Sequence, residues 1–313
     1  MKQKISSLAF IPKFKVAYCL PQYWPIWLGV VLLYLLLFLP PSWVNLLARK
    51  LGNKIYTSNG KQRQFVETNL KLCFSELSQE QLDVLARDHF TSQARSMLHY
   101  GLFLLGPKWL LNKRIQFVGQ EQIQSRLEAG QRVILLTSHT VGLEAAVTGI
   151  TMHYPATGPF KEIKNPLVNY LVGKSRTRFN AIVYTREAGL RPIIKDVRNG
   201  YVMVYLADED LGEDAAVFVP FFGVPKATIA VLGRLAKSCR ADVLPCVSCY
   251  DEITNRYVIQ VLPALENFPQ GDVQQDALAM NRAIEATVRI CPQQYFWTLR
   301  FFKTRPPGEE RFY

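Results

Sequence analysis

The sequence has few of the residues and motifs that bind metals and nucleotides. Only four histidines occur among 313 residues, and no two of them have the spacing of a zinc protease motif. A glycine-rich phosphate loop and a nicotinamide-binding fingerprint are also missing. We therefore expect neither a metal ion nor an organic cofactor.

Cysteine is also sparse, with six residues that do not resemble a secreted disulfide framework. Cys246 and Cys249 have the C-x-x-C spacing of redox and zinc sites, but neither a second such pair nor a nearby histidine completes a set. They lie in the apolar run Val243–Tyr250, which is typical of a buried strand. We interpret them as small core residues of a protein in a reducing compartment.

Acidic residues are missing from the start of the chain, where the first is Glu67. Nine lysines and arginines precede it, so the first 66 residues carry +9 of the formal net charge of +12. Each basic residue near an anionic membrane surface contributes about 1 kcal/mol to binding. Nucleic-acid binding explains this charge less well, because a long apolar run lies inside the basic segment, and we expect no nucleic-acid partner.

That apolar run contains no charged residue from Val16 to Ala48 and is densest from Ile26 to Leu39. Fourteen helical residues span about 21 Å, which is less than the roughly 30 Å of a hydrocarbon core. Tryptophan and tyrosine flank the run, as they do at membrane interfaces. The pattern predicts a membrane-anchoring helix within about residues 19–45, in a basic N-terminal segment (1–60) that precedes one larger domain (61–313).

The orientation of this anchor stays open at the level of sequence, because basic residues lie on both sides. A shallow or re-entrant anchor keeps both flanks on the cytoplasmic face, whereas a single span places the body across the membrane. A cleaved signal peptide fits less well, since the run starts late and no small-residue cleavage site follows. A buried core helix is also disfavoured, because the leucines are not arranged on one face. We favour the shallow anchor.

The rest of the chain alternates between short apolar runs and amphipathic stretches. Ser78 and Gln81 form a capping-box pattern at the start of a long helical layer, 77–105. Strands are predicted at 115–118, 133–137, 154–157, 181–183, 202–206, 217–219, 243–249 and 256–261. Helices are predicted at 121–129, 142–152, 166–176, 186–198, 226–237 and 274–290. This alternation predicts an α/β fold, a mixed sheet covered by helices on both faces.

A polar turn after the predicted strand at 133–137 carries the first candidate site. His139 and Glu144 are five residues apart, too far around a continuous helix to pair, but they can pair if His139 lies in the turn and Glu144 in the first helical turn. The carboxylate would then orient the imidazole, which could act as a general base. A surface histidine beside a helix-start glutamate is the alternative.

Downstream, the segment 161–198 holds nine basic residues and three acidic ones. Such a basic belt suits a phosphorylated lipid or an acidic carrier protein. An ordinary solvated helix surface is the other interpretation for part of it.

Several blocks make the chain recognisable along nearly its whole length. They are Ser138-His139 with Glu144; Phe160-Lys161; Asn165-Pro166-Leu167; Arg176; Asp208-Glu209-Asp210; Val217-Phe218-Val219-Pro220-Phe221-Phe222-Gly223; Gln294-Tyr295-Phe296-Trp297; and Arg300 to Pro306. With them the chain resembles the late acyltransferases of lipid A biosynthesis, the lauroyl/myristoyl transferase family within the lysophospholipid acyltransferase superfamily.

The resemblance implies a reaction in which an acyl chain passes from acyl carrier protein to the 3-hydroxyl of an acyl group on a lipid A precursor. It implies a monomeric enzyme that contacts the lipid of the bacterial inner membrane, with its catalytic domain on the cytoplasmic face. No nucleophilic serine or cysteine is needed, because the acceptor hydroxyl can attack the thioester directly.

The resemblance also assigns residues to roles. His139 is the general base, Glu144 orients it, and Arg176 stabilises developing negative charge or grips phosphate. The substrate-binding candidates are Lys161, Lys164, Asn165, Asp208, Glu209 and Asp210, although the three acidic residues could equally form an acidic turn. The aromatic tail from Tyr295 to Phe302 is predicted to close the core, since it is too apolar to stand in water.

Two other functions remain possible from sequence. A glycerophospholipid acyltransferase would share His139 and Glu144 but not the later blocks. A catalytically dead lipid-binding protein would keep the fold and not need His139.

Overall fold

The structure is a computed structural model that describes residues 7–214 and 216–313. Lys2 and Lys4 of the basic N-terminal segment lie outside the described residues. The helices are α1 (Trp24–Leu35), α2 (Pro41–Ser58), α3 (Gly60–Cys73), α4 (Gln79–Leu105), α5 (Lys108–Arg114), α6 (Gln120–Glu128), α7 (Leu143–His153), α8 (Pro166–Arg176), α9 (Arg191–Arg198), α10 (Leu232–Cys239) and α11 (Val273–Ile290). The strands are β1 (Ile115–Val118), β2 (Arg132–Thr137), β3 (Ala156–Phe160), β4 (Ala181–Thr185), β5 (Val202–Leu206), β6 (Ala216–Phe221), β7 (Val224–Ile229), β8 (Ala241–Asp251) and β9 (Arg256–Val261).

Seven strands form one mixed sheet in the order β1-β9-β8-β2-β5-β3-β4. Neighbouring strands are parallel throughout, except that β8 and β9 are antiparallel. Strands β6 and β7 form a separate antiparallel hairpin. The predicted α/β class with a mixed sheet is confirmed.

Helices cover both faces of this sheet, and the central strand β2 shows how. Its side chains alternate between two hydrophobic cores, as the pleat of a strand requires. Val133 and Leu135 point into the core formed with α5, α6, α7 and the end of α4. Ile134 and Leu136 point into the core formed with α3, α9, α10 and α11.

Many predicted elements begin and end within a few residues of the observed ones. The bounds predicted for β1, β5, β9 and α8 are the observed bounds. The capping box is present too, because Ser78 and Gln81 exchange both hydrogen bonds at the start of α4. The helix predicted at 226–237 was wrong in its first half, which is strand β7. A tight turn at Phe222 (φ 50°) and Gly223 (φ 78°) reverses the chain there, and a phenylalanine in that position gives no turn signal in the sequence.

The apolar N-terminal helix α1 lies on the outside of the molecule, and none of its residues is buried. This excludes the core-helix alternative. The helix ends in a 3-10 turn, Leu36–Phe38, before Pro40. It crosses α4 closely, since a Cβ placed on Gly101 would lie 2.4 Å from the carbonyl oxygen of Leu33.

Both flanks of α1 are fixed to the body of the protein. On the N-terminal side, Ala9 forms a β-bridge with Tyr184, and the Phe10 amide donates to the carbonyl of Val183 at 2.9 Å. On the C-terminal side, α2 packs along α4. Both flanks of α1 thus meet the same folded body, and α1 is long and apolar enough by length and composition to enter a membrane.

Cys249 departs from the expectation that Cys246 and Cys249 are both small core residues without a covalent partner. Cys249 forms a disulfide with Cys291, with Cα atoms 6.2 Å apart. Cys246 is free and buried, and burial raises its pKa to about 12. Residues three apart on a strand point to opposite faces, so Cys246 and Cys249 cannot act as a redox pair despite their spacing.

Candidate active site

The site forms where parallel strands end at the same edge of the sheet, the usual place for ligands in α/β folds. His139 follows β2, and Asp208 follows β5, the neighbour of β2 in the sheet. Lys161 follows β3 directly, and Arg186 follows β4 directly. Residues that are far apart in sequence therefore converge around one cavity.

The partner of His139 is Asp208. Nδ1 of His139 lies 2.7 Å from Oδ1 of Asp208, and the backbone amide of His139 donates to Oδ2 at 2.8 Å. The hydroxyl of Tyr295 donates to the same Oδ2 at 2.9 Å. The predicted pairing of His139 with Glu144 was wrong, because β5 brings Asp208 to the imidazole while Glu144 points toward α8.

This pairing sets the charge on both groups. Burial lowers the pKa of His139, but the carboxylate of Asp208 outweighs burial and leaves that pKa raised above its usual value. Burial raises the pKa of Asp208, whose side chain is fully enclosed, but His139 and the donated hydrogen bonds leave it lowered. Asp208 is therefore an anion that accepts Nδ1–H, and in the neutral form of His139 the lone pair lies on Nε2.

Glu144 forms a different pair in the same site. In the first turn of α7, its Oε1 accepts from Nη2 of Arg176 on α8 at 2.5 Å. Burial lowers the pKa of Arg176, but Glu144 outweighs it and leaves the pKa raised, so the guanidinium is charged. Nε of Arg176 is buried, and among the described residues 7–214 and 216–313 it has no hydrogen-bond partner. The site thus holds an uncommitted donor beside the cavity.

The three acidic residues after β5 have three different surroundings. Asp208 holds His139 as described. Glu209 lies at the mouth of the cavity, with Oε1 3.7 Å from Nε2 of His139 and Oε2 3.9 Å from Arg186. Asp210 is buried and binds the C-terminal tail, accepting from the amide and the hydroxyl of Thr304, each at 2.8 Å.

The three remaining candidates, Lys161, Lys164 and Asn165, are all exposed. Lys161 lies on the rim of the cavity. Asn165 caps α8, because its Oδ1 accepts from the amides of Leu167 and Val168 at 3.1 and 3.2 Å. Lys164 and Asn165 are not among the residues that line the cavity.

A cavity of about 550 Å³ opens beside His139 between α7, α8 and the ends of β3, β4 and β5. Its inner walls are apolar and include Val147, Phe160, Val172, Val183 and Val204. Polar groups are confined to a few positions, among them His139, Arg176, Arg186 and Glu209. An apolar chain with a reactive polar end fits this distribution.

Tyr295 and Lys226 also interact with Asp208, although the sequence analysis did not assign them to the site. Tyr295 belongs to the aromatic tail, whose large side chains are mostly buried as predicted. The tail also holds the loop that carries His139, since the amide of Phe296 donates to the carbonyl of His139 at 2.9 Å. Lys226 is fully buried on β7, and in the described part of the chain its Nζ has no hydrogen-bond partner. Burial lowers the pKa of Lys226, against the attraction of Asp208 and Asp210.

Comparison with known proteins adds the family. Residues 11–304 match the family model described as bacterial lipid A biosynthesis acyltransferase. A lipid A biosynthesis acyltransferase of Haemophilus influenzae is 36% identical over 300 residues, which cover 95% of this chain and 93% of that protein. The lipid A biosynthesis myristoyltransferase of Escherichia coli is 32% identical over 99% of this chain and 96% of its own length. The E. coli lauroyltransferase is 31% identical over 95% of this chain and 97% of its own.

Proposed function

The chain belongs to the bacterial lipid A biosynthesis acyltransferases, a family of enzymes of late lipid A acylation, and we propose that it uses acyl carrier protein as its acyl donor. The acceptor is the 3-hydroxyl of an acyl group already present on a lipid A precursor. The product is an ester of one acyl chain on another. The hydrogen bond between His139 and Asp208 at the mouth of an apolar cavity supports this proposal most directly.

His139 acts as the general base. Asp208 holds Nδ1–H, so Nε2 is free to take the proton of the acceptor hydroxyl as its oxygen attacks the thioester carbonyl. The positive charge that develops on the imidazole is stabilised by the buried carboxylate. When the carbon–sulfur bond breaks, the imidazolium returns its proton to the leaving thiolate, and His139 is neutral again.

Arg176 stabilises the oxyanion that forms on the thioester carbonyl. Its unpartnered Nε is a donor that is already desolvated, and such preorganised donors contribute strongly to acyl transfer. Glu144 then acts by fixing the guanidinium, because it occupies another nitrogen of Arg176. In this proposal Glu144 remains essential, but as a positioning residue for Arg176 rather than for His139.

Transfer is direct, without an acyl-enzyme. Ser138 is adjacent to His139, yet it is fully buried, and no group among the described residues forms a hydrogen bond with its Oγ. A serine nucleophile needs a hydrogen bond to its base and access to the substrate. The geometry of Ser138 provides neither.

The cavity holds the transferred acyl chain, with its thioester carbonyl at the mouth between His139 and Arg176. Lys161 and Arg186, on the rim, suit the phosphates of the lipid acceptor. The shallow anchor places the enzyme at the inner membrane with its catalytic body on the cytoplasmic face. Both flanks of α1 contact that body, which supports this arrangement.

The test is transfer of labelled acyl chains from a panel of acyl carrier protein thioesters to purified lipid A precursors. We expect His139→Ala to reduce transfer by roughly 10²–10⁴-fold. His153→Ala is the matched control, because His153 is exposed at the end of α7, away from the site, and should keep wild-type activity.

Two results would contradict the proposal. Transfer to glycerol phosphate or lysophospholipid, with lipid A precursors refused, would identify a glycerophospholipid acyltransferase. A stoichiometric burst of free carrier thiol in the absence of acceptor would demonstrate an acyl-enzyme and exclude direct transfer.

A further inference from the structure

A basic face on α9 and α10 takes no part in the site described so far. On α9, Arg191, Lys195 and Arg198 are exposed, and the opposite side is buried through Ile193 and Val197. On α10 and just after it, Arg234, Lys237 and Arg240 are exposed. With Arg132, whose Nε donates to the carbonyl of Arg198 at 2.8 Å, these seven residues form what we name the α9–α10 basic face.

The charges of this face are not neutralised within the protein. None of the seven side chains has a carboxylate within ion-pair distance among residues 7–214 and 216–313. Asp196 is the one acidic residue on α9, and it points inward, accepting from the hydroxyl of Tyr184 at 2.6 Å. A fold that places seven unpaired cations together has a strongly positive local potential.

We propose that the α9–α10 basic face is the docking surface for the acidic acyl carrier protein, an inference that rests on the proposed donor. The Arg191 end of the face lies next to the mouth of the cavity, whereas Arg132 begins β2 at the opposite edge of the sheet. Arg186 and Leu190 line that cavity, and α9 begins at the next residue, Arg191. A carrier bound on α9 is therefore placed beside the opening through which its tethered acyl chain must enter.

Position favours a soluble protein over a lipid surface as the occupant. The anchor helix α1 packs on α4, and Leu37, which follows it, contacts the core on the α7 face of the sheet. Helices α9 and α10 contribute Ile193, Val197 and Leu235 to the core on the other face. The sheet thus separates the basic face from the helix that enters the membrane.

The experiment compares two double charge reversals that change net charge equally. Arg191→Glu/Lys195→Glu alters the basic face, and Lys71→Glu/Arg282→Glu alters an exposed lysine on α3 and an exposed arginine on α11, both outside the basic N-terminal segment. The readouts are kcat/KM with acyl carrier protein thioester as donor and kcat/KM with acyl-pantetheine, which lacks the protein. Binding of acyl carrier protein is measured separately in a His139→Ala background, and binding to anionic phospholipid vesicles is measured for both doubles.

We expect Arg191→Glu/Lys195→Glu to lower both kcat/KM and affinity for the carrier-protein donor by at least about tenfold at low salt. Both quantities should also depend less on salt concentration in this variant than in the wild type. Its activity with acyl-pantetheine and its vesicle binding should match those of Lys71→Glu/Arg282→Glu. Equal carrier affinity in the two doubles would overturn the inference. Loss of vesicle binding with carrier affinity retained would instead assign the face to lipid. Failure of the wild type to use the carrier protein would reject the proposed donor, which is a separate result.

Discussion

At the scale of single residues, the pH range in which the site is active depends on which carboxylate contacts the imidazole. Asp208 raises the pKa of His139 above the ordinary histidine value of about 6.5, although burial lowers it. The neutral imidazole, which is the proposed base, is therefore lost as pH falls through that raised pKa. The activity of the wild type should therefore decline on the acid side at a higher pH than an isolated histidine would give.

Asp208→Asn tests this assignment. Without the carboxylate, kcat should fall by roughly 10²–10⁴-fold, because the tautomer is no longer fixed and the imidazolium is no longer stabilised. The acid limb of the remaining activity should move to lower pH, since burial still lowers the pKa of His139 and the group that raised it is gone. The measurement is a pH profile of kcat and kcat/KM.

The matched control for Asp208 is Glu209→Gln, which removes the more distant carboxylate at 3.7 Å. It should move the acid limb less and cost less than tenfold in kcat. If Glu144→Gln moved the limb while Asp208→Asn left it in place, Glu144 would be the partner of His139 and the assignment would fail.

Sequence reasoning identified His139 and listed Asp208, yet it paired His139 with the wrong residue. Glu144 is close in the chain, so a local pattern suggests it. Asp208 is 69 residues away and reaches His139 only because β5 lies next to β2 in the sheet. Strand order is a property of the whole sheet, and a single sequence does not specify it.

At the scale of elements, the fold was more accessible to sequence reasoning than the site. Alternation of apolar runs with amphipathic stretches predicts β1, β5, β9 and α8 because each has strong periodicity and clear ends. The hairpin of β6 and β7 was missed because its turn uses Phe222, and Gly189 (φ 67°) breaks the predicted helix 186–198 into a 3-10 turn and α9. Positive backbone angles at such positions decide where elements end.

The crossing of α1 and α4 yields a second prediction. Gly101→Ala adds a Cβ that meets the backbone of Leu33 at 2.4 Å, so the helices must separate, and we expect a loss of about 1–3 kcal/mol in unfolding free energy. Gly29→Ala in α1 adds a Cβ with nothing within 4 Å and should stabilise by about 0.5–1 kcal/mol. Denaturant unfolding in mild detergent measures both, and similar changes in the two variants would disprove this helix contact.

At the scale of the whole molecule, the topology of the anchor can be tested with a native reporter. Cys19 is a free, exposed cysteine just before α1, whereas Cys73, Cys239 and Cys246 are buried, and burial raises the pKa of each. An impermeant maleimide should therefore label the native protein at Cys19. Because both flanks of α1 contact the body, Cys19 should be labelled from the side of the membrane that carries the catalytic body.

Two variants in a Cys19→Ser background provide the reference. Lys50→Cys reports on α2 after the anchor, and Lys237→Cys reports on the body. In sealed inverted membrane vesicles all three positions should react without permeabilisation. Protection of Cys19 alone would mean that α1 spans the bilayer.

Ala9 is attached to β4 and α1 is packed on Gly101 of α4, so in the proposed membrane arrangement the cavity would stand at a constant height above the lipid headgroups. An enzyme held at constant height searches a plane for its acceptor and does not search a volume. Its turnover should then follow the mole fraction of acceptor in the surrounding lipid, so that diluting the acceptor with inert phospholipid slows the reaction even when the total amount of acceptor is unchanged.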